Sequence, residues 1–173
     1  GGPLTLLPPE RFVAKPSLWM EGVAMTGATI SVAPNFAYAL AAERTPDSVV
    51  AGLDLSRWRV ALCGAEPVHK ATLDAFVERF GPAGFDTVAL TPVYGLSEAT
   101  LAVTFGAIDQ LATGVTFCRQ ALGEGRAVEE ETGVYLASVG SPLPGHEVRI
   151  GDGPASLPEG QVGAVWVRGV GVM

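Results

Sequence analysis

Short apolar runs alternate with helix-period segments along the first half of this chain, and that alternation constrains the fold more than any other feature. The runs cover residues 4–7, 30–33, 60–63 and 88–90, and the segments between them cover 17–25, 35–44 and 69–80. In the third segment Leu73, Phe76, Val77 and Phe80 fall at i, i+3, i+4 and i+7, and Gly81-Pro82 ends the pattern. Ser17 and Asn35 are the expected N-caps of the first two. Strand, helix and strand in repeated order predict a mostly parallel sheet with flanking helices, because crossovers of this length join parallel neighbours.

The rhythm changes after residue 135. Val148 and Ile150 alternate with Glu147 and Arg149, Gly151-Asp152-Gly153 reads as a turn, and residues 162–167 look like a further strand. The fold class expected is therefore α/β, with a small antiparallel β subdomain following the parallel unit. Residues 1–105 form the expected parallel unit, 106–134 a loop-rich connector or insertion, and 135–173 an incomplete antiparallel unit. The acidic run at residues 129–131 is expected to be a solvated surface.

Charge removes one class of partner, since a net charge of −7 with eleven scattered Lys and Arg leaves no footprint for nucleic acid. No apolar run reaches the roughly 18 residues of a membrane span and no basic segment leads into an apolar one, so a cytoplasmic protein is expected. Cys63 and Cys118 lack metal-ligand spacing, and neither a disulfide nor a metal cluster is expected of them. The chain opens on Gly1-Gly2-Pro3 and stops at Met173 inside apparent β structure, which reads as an internal piece of a longer protein.

In open parallel sheets ligands bind beyond the carboxyl ends of the strands. Three unusual segments begin at the expected ends: Pro34-Asn35-Phe36, Gly64-Ala65-Glu66-Pro67, and residues 91–98, which include Tyr94, Gly95, Leu96, Ser97 and Glu98. Their chemistry suits a nucleotide, because glycines admit close backbone approach and Tyr94 offers a stacking face. Ser97 can donate to a phosphate oxygen, and Glu98 is a hard ligand for Mg²⁺.

These residues also carry a resemblance. YGLSEAT at residues 94–100 resembles the Y-G-x-[ST]-E signature of the adenylate-forming superfamily of acyl-CoA synthetases, luciferases and peptide-synthetase adenylation domains. GAEP at 64–67 resembles that family's adenine-binding turn, SVGSPLPGHEVRI at 138–150 its entry to a small β-barrel, and GAVWVRG at 163–169 its G-E-[IL]-W-x-x-G strand, with Ala164 in place of Glu. The matches fall in the family's order over nearly the whole chain. Residues 31–40, 53–68 and 119–128 are most similar to fatty acyl-AMP ligases, and 106–133 falls near the insertion that distinguishes those enzymes from CoA ligases.

The resemblance implies ATP and Mg²⁺ as cofactors, a fatty acid as substrate, and an acyl carrier protein or CoA as acceptor. It implies that Tyr94 stacks on adenine while Gly64, Ala65, Glu66 and Pro67 meet its edge, with Gly95 and Leu96 in the same nucleotide site. Ser97 would bond the α-phosphate, Glu98 would hold Mg²⁺, and Asn35, Phe36 and Tyr38 would wall the acyl pocket. No Ser/Thr/Gly-rich phosphate loop, T-G-D segment or C-terminal-domain lysine of that family occurs among the 173 residues, so the isolated chain is expected to be inactive. An acyl-CoA synthetase or an amino-acid adenylation domain is the alternative.

Each residue also has an ordinary structural role open to it: a half-buried aromatic for Tyr94, solvated carboxylates for Glu66 and Glu98, an N-cap for Ser97. A rival from another class reads residues 95–99 as a near-match to the G-x-S-x-G nucleophile elbow, with Asp109 and His146 following in the order of an α/β-hydrolase triad. A binding or carrier-docking module without catalysis is a third reading. His69 and His146 otherwise read as surface histidines.

Overall fold

The computed structural model describes residues 2–153 and 155–173. Helices α1 (Pro9–Ala14) and α2 (Ser17–Thr26) lead into β1 (Ile30–Pro34), followed by α3 (Asn35–Arg44), α4 (Asp47–Val50), β2 (Val60–Gly64), α5 (Lys70–Phe80), β3 (Leu90–Leu96) and β4 (Leu101–Phe105). Then come β5 (Gly114–Phe117), α6 (Arg119–Gly123), β6 (Val134–Ala137), β7 (Ser141–Pro142), β8 (His146–Asp152), β9 (Ala155–Ser156) and β10 (Ala164–Gly169). The first sheet runs β1-β2-β3-β4-β7, in which β1, β2 and β3 are parallel and the last two pairings antiparallel. A second sheet, β10-β8-β9, is antiparallel throughout, and β5 pairs with β6. This is the mixed, mostly parallel α/β sheet with a following antiparallel unit that the periodicity predicts.

One face of the parallel strands carries the core. Ala33, Ala61, Cys63 and Leu90 meet Trp19, Met20, Tyr38, Trp58, Leu73, Phe76 and Phe80 from the helices and loops above. The aromatic rings pack mostly edge to face with centroids 4.7 to 6.1 Å apart, the geometry ring quadrupoles favour. Their polar tips are tied down: Trp19 Nε1 donates to Ser31 Oγ at 2.9 Å, Trp58 Nε1 to the Val60 carbonyl at 3.0 Å, and Tyr38 Oη to the Leu62 carbonyl at 3.0 Å. Those bonds remove the cost of burying the tips and fix the helices against particular strand positions.

Several expectations are corrected. Residues 4–7 form no strand and are exposed; prolines bracket them, and Pro9 starts α1, where its missing N–H costs nothing. The strand expected at 88–90 is a 3₁₀ turn at Thr87–Ala89, and β3 runs instead from Leu90 through Leu96. Ser17 is the first residue inside α2, behind Pro16, and its hydroxyl donates to Glu21 at 2.8 Å. Asn35 likewise follows Pro34 and does not cap its own helix. Apart from these corrections, the chain within 106–134 forms β5 and α6, and β5 pairs with β6, which starts at Val134.

Candidate nucleotide site

The register of the parallel strands brings the carboxyl ends of β1 and β2 level, and β3 runs three residues beyond them. Pro34 pairs with Gly64 and Cys63 with Pro92, so the segments following β1 and β2 flank the second half of β3. Gly64 lies against Val93, where a Cβ would stand 2.6 Å from the Val93 carbonyl oxygen. No other residue fits without moving a strand. Ala65 then turns the chain with φ +65°, and Ala65, Glu66 and Pro67 are exposed.

The turn is fixed by bonds to α3. The Glu66 carboxylate accepts the Phe36 N–H at 2.6 Å, Asn35 Oδ1 accepts the His69 N–H at 3.0 Å, and Asn35 Nδ2 donates to Thr72 Oγ1 at 3.4 Å. Glu66 therefore supplies an acceptor to the open N-terminus of α3, and Asn35 does the same for α5. Asn35 is buried and committed to this brace, while Phe36 is 49% exposed at the strand end. Tyr38 is different. It is fully buried in the aromatic core, and desolvation raises its hydroxyl pKa well above the usual value, so it presents no surface to an acyl pocket. Of Asn35, Phe36 and Tyr38, only Phe36 presents an exposed apolar side chain.

Tyr94, Gly95 and Leu96 lie within β3 and are half-buried, while Ser97 and Glu98 are exposed on the 3₁₀ turn Ser97–Ala99. Gly95 has a structural reason to be glycine, because a Cβ there would overlap the Leu101 carbonyl oxygen of β4. The ladder shifts register between Tyr94 and Gly95, which lets β4 close on β3 at that point. Ala99 is buried, and Thr100 and Leu101 follow it with φ +54° and +88°. Two consecutive non-glycine residues in that region are uncommon, and a β-branched Thr there is strained by about 1 to 2 kcal/mol.

The two concavities of about 800 and 370 Å³ lie elsewhere. The larger follows the outer surfaces of α3, α4 and α5, and the smaller lies between β3, β4 and the residues after Phe105. Neither is lined by residues 64–67 or 94–98.

The hydrolase arrangement is not assembled. Asp109 pairs with Arg59 at 3.5 Å, and Arg59 precedes β2, at the opposite end of the strand from Gly64. Ser97 opens a 3₁₀ turn without positive φ, unlike a strained nucleophile elbow. His69 is exposed, but His146 is not the surface histidine expected: both ring nitrogens are buried without a hydrogen-bond partner among the described residues, and the ring lies beside Gly169 and Gly171. The small residues of 169–171 could have signalled this, since they leave room opposite His146 in the β8–β10 ladder.

Among the described residues no group of three His, Cys, Asp or Glu side chains is placed to hold a metal ion. Glu98 is exposed and forms no salt bridge among them. One free carboxylate fits Mg²⁺ in the mode where substrate phosphates and water supply the other oxygens.

Backbone at two glycine-bearing strand ends beside a free carboxylate suits a phosphorylated nucleotide, which places this fold among nucleotide-binding α/β proteins. The chain belongs to the family of AMP-binding enzymes, whose model matches residues 1–173. It is 41% identical over 169 residues to the 4-hydroxyphenylalkanoate adenylyltransferase of Mycobacterium tuberculosis, covering 95% of this chain and 27% of that protein. A medium-chain-fatty-acid acyl-carrier-protein ligase of Teredinibacter turnerae, TtuA, is 36% identical over 177 residues, covering 99% of this chain and 28% of TtuA. The fatty acyl-adenylate ligase of Legionella pneumophila, solved with acyl adenylate and pyrophosphate, superposes with a TM-score of 0.88 at 35% identity, covering 95% of this chain and 30% of that one. The chain thus spans less than a third of the length of the proteins it matches.

Proposed function

We propose that this chain is the adenine- and metal-binding part of an ATP-dependent ligase that activates a fatty carboxylate as acyl-AMP and passes the acyl group to an acyl carrier protein. The observation that carries the reading is the strand-end register, which sets the 64–67 turn beside the YGLSE segment of β3. The acyl-carrier-protein ligase activity of TtuA supports the substrate and the acceptor, and the acyl adenylate and pyrophosphate bound to the Legionella ligase support the reaction. A carboxylate oxygen attacks the α-phosphorus of ATP, a P–O bond forms, and the bond to pyrophosphate breaks. In this reading the ring of Tyr94 stacks on adenine, backbone of Gly64, Ala65, Glu66 and Pro67 faces its edge, and Gly95 and Leu96 hold the strand that presents them. The Ser97 hydroxyl bonds the α-phosphate, and the Glu98 carboxylate holds Mg²⁺, which when bound neutralises phosphate charge. Phe36 faces the acyl chain. With positioning and charge supplied, the phosphoryl transfer asks little covalent chemistry of the protein. The enzyme acts in the cytoplasm.

The test is fatty-acid-dependent ATP–pyrophosphate exchange in a full-length ligase carrying this chain. Glu98→Gln should lower kcat tenfold or more, since one lost charge-stabilising contact at a reacting phosphoryl group is typically worth ~3 kcal/mol. Near-normal exchange would refute the metal assignment. The 41% identity to a 4-hydroxyphenylalkanoate adenylyltransferase favours a second substrate class, an aryl-bearing alkanoate. Comparing kcat/KM for a medium-chain fatty acid and a hydroxyphenylalkanoate decides between them.

A further inference from the structure

Residues 97–101 reverse the chain between β3 and β4 without a glycine, although Thr100 and Leu101 both take positive φ. Such a conformation persists only where surrounding structure holds it, and outliers of this kind gather at functional sites. Here the holding structure is remote in sequence. The Thr100 hydroxyl donates to the Gly171 carbonyl at 2.7 Å, and the Met173 N–H donates to the Glu98 carbonyl at 2.9 Å. Gly171 also lies against the turn, where a Cβ would stand 3.1 Å from both the Ala99 carbonyl oxygen and His146 Nε2. The residues leaving β10 therefore bracket the turn that bears Ser97 and Glu98.

We propose that Thr100 is a positioning residue for adenylation: through the Gly171 carbonyl its hydroxyl holds the 97–101 turn and so aims the Glu98 carboxylate. Glu98 has no side-chain salt bridge among the described residues, so the backbone of the turn is what sets the point from which its carboxylate reaches out. That backbone is fixed by Ala99 below, the β3–β4 ladder on one side and the Gly171–Met173 segment on the other. Among the described residues the hydroxyl makes the one side-chain hydrogen bond in the bracket, and it ties the turn after β3 to the residues following β10. The inference rests on the proposed role of Glu98.

The experiment measures pyrophosphate exchange against Mg²⁺ concentration in the full-length ligase for Thr100→Val, Thr100→Ser, Thr100→Gly and Glu98→Gln. Thr100→Val should lower kcat about tenfold and raise the half-saturating Mg²⁺ several-fold, as a small misplacement of a reacting group does, with the fatty-acid KM unchanged. Thr100→Ser, which keeps the hydroxyl, should restore both. Thr100→Gly removes the hydroxyl while relaxing the positive φ, so it should fold and still show the Mg²⁺ shift. Should Val and Gly keep kcat and Mg²⁺ dependence within about twofold while Glu98→Gln is impaired, this inference fails alone. A Ser variant as impaired as Val overturns it too, because the hydroxyl is then not the group that matters. Should Glu98→Gln be near normal, the reading of the site falls with it.

Discussion

The Glu66 carboxylate accepts the backbone N–H of Phe36, and Asn35, one residue earlier, accepts the N–H of His69, three residues after Glu66. The loop after β2 and the helix after β1 thus cap one another. The Glu66 carboxylate is held against the N-terminus of α3, although Ala65, Glu66 and Pro67 all remain exposed at the turn. Glu66→Ala should lower stability by about 1 kcal/mol, the net worth of one such bond near the surface, and should raise the KM for ATP in the full-length ligase. Glu66→Gln keeps an acceptor and should do less of both. Urea unfolding with ATP titration reads the pair, and an Ala variant unchanged in both would show the brace to be idle.

Gly95 offers a test of the motif's architecture apart from any ligand. A Cβ at that position overlaps the Leu101 carbonyl oxygen, a backbone atom that can retreat only by opening the β3–β4 ladder. Gly95→Ala should cost about 1 to 3 kcal/mol, the range for overpacked sites. If the melting temperature is unchanged, the close approach of the two strands is not real.

Much of this was legible in the sequence, for physical reasons that name themselves. The i, i+3, i+4, i+7 pattern found α5 because its Leu73, Phe76 and Phe80 do face the core. The strand expected at 88–90 instead runs from Leu90 through Pro92 to Leu96, and Gly95 within it admits the close approach of β4. The resemblance implies an acyl-pocket role for Tyr38, whose side chain lies in the core. Ala37, Tyr38 and Ala41 share the buried face of α3, and the helical spacing already groups them. The Thr100 and Glu66 bonds join residues 71 and 30 positions apart, and no local pattern encodes such pairs.

Cys63 should be chemically silent. Burial first, and the Glu66 charge second, push its thiol from 9.0 to about 12, so the reactive thiolate is scarce at neutral pH. A folded-state pKa above the unfolded one gives stability that is complete below about 9 and is lost as pH rises towards 12. Cys63→Ala should therefore flatten part of the alkaline loss of stability, and burial of the Tyr38 hydroxyl acts in the same direction. Thiol labelling at pH 8 should modify Cys118 in the native protein and Cys63 only after unfolding. Equal labelling rates would contradict the buried assignment.

Tyr94 separates ring from hydroxyl. If stacking on adenine is its role, Tyr94→Phe should leave the KM for ATP nearly unchanged and Tyr94→Ala should raise it about tenfold, near the top of the range for one aromatic contact. The fatty-acid KM serves as the internal control. Phe behaving like Ala would make the hydroxyl the functional group and remove the stacking assignment.

The 173-residue chain alone should fold but should not adenylate. Its core needs nothing beyond the described residues: the helices close one face of the parallel strands, and the aromatic tips are all bonded within the chain. Ile30 and Val32 are 62% and 69% exposed on the other face, so the melt is best run dilute, where association through that apolar surface is weak. Catalysis is a separate matter. The family's phosphate loop and catalytic lysine have no counterpart within these residues, and each stands for a charge-stabilising contribution of about 3 kcal/mol. Together those losses correspond to a rate about 10⁴ below that of a complete ligase. The measurement pairs a cooperative thermal melt with fatty-acid-dependent ATP–pyrophosphate exchange on the same preparation. Exchange within tenfold of a full-length ligase would show that the two electrostatic contributions are dispensable, and with them the division of labour proposed for Ser97 and Glu98.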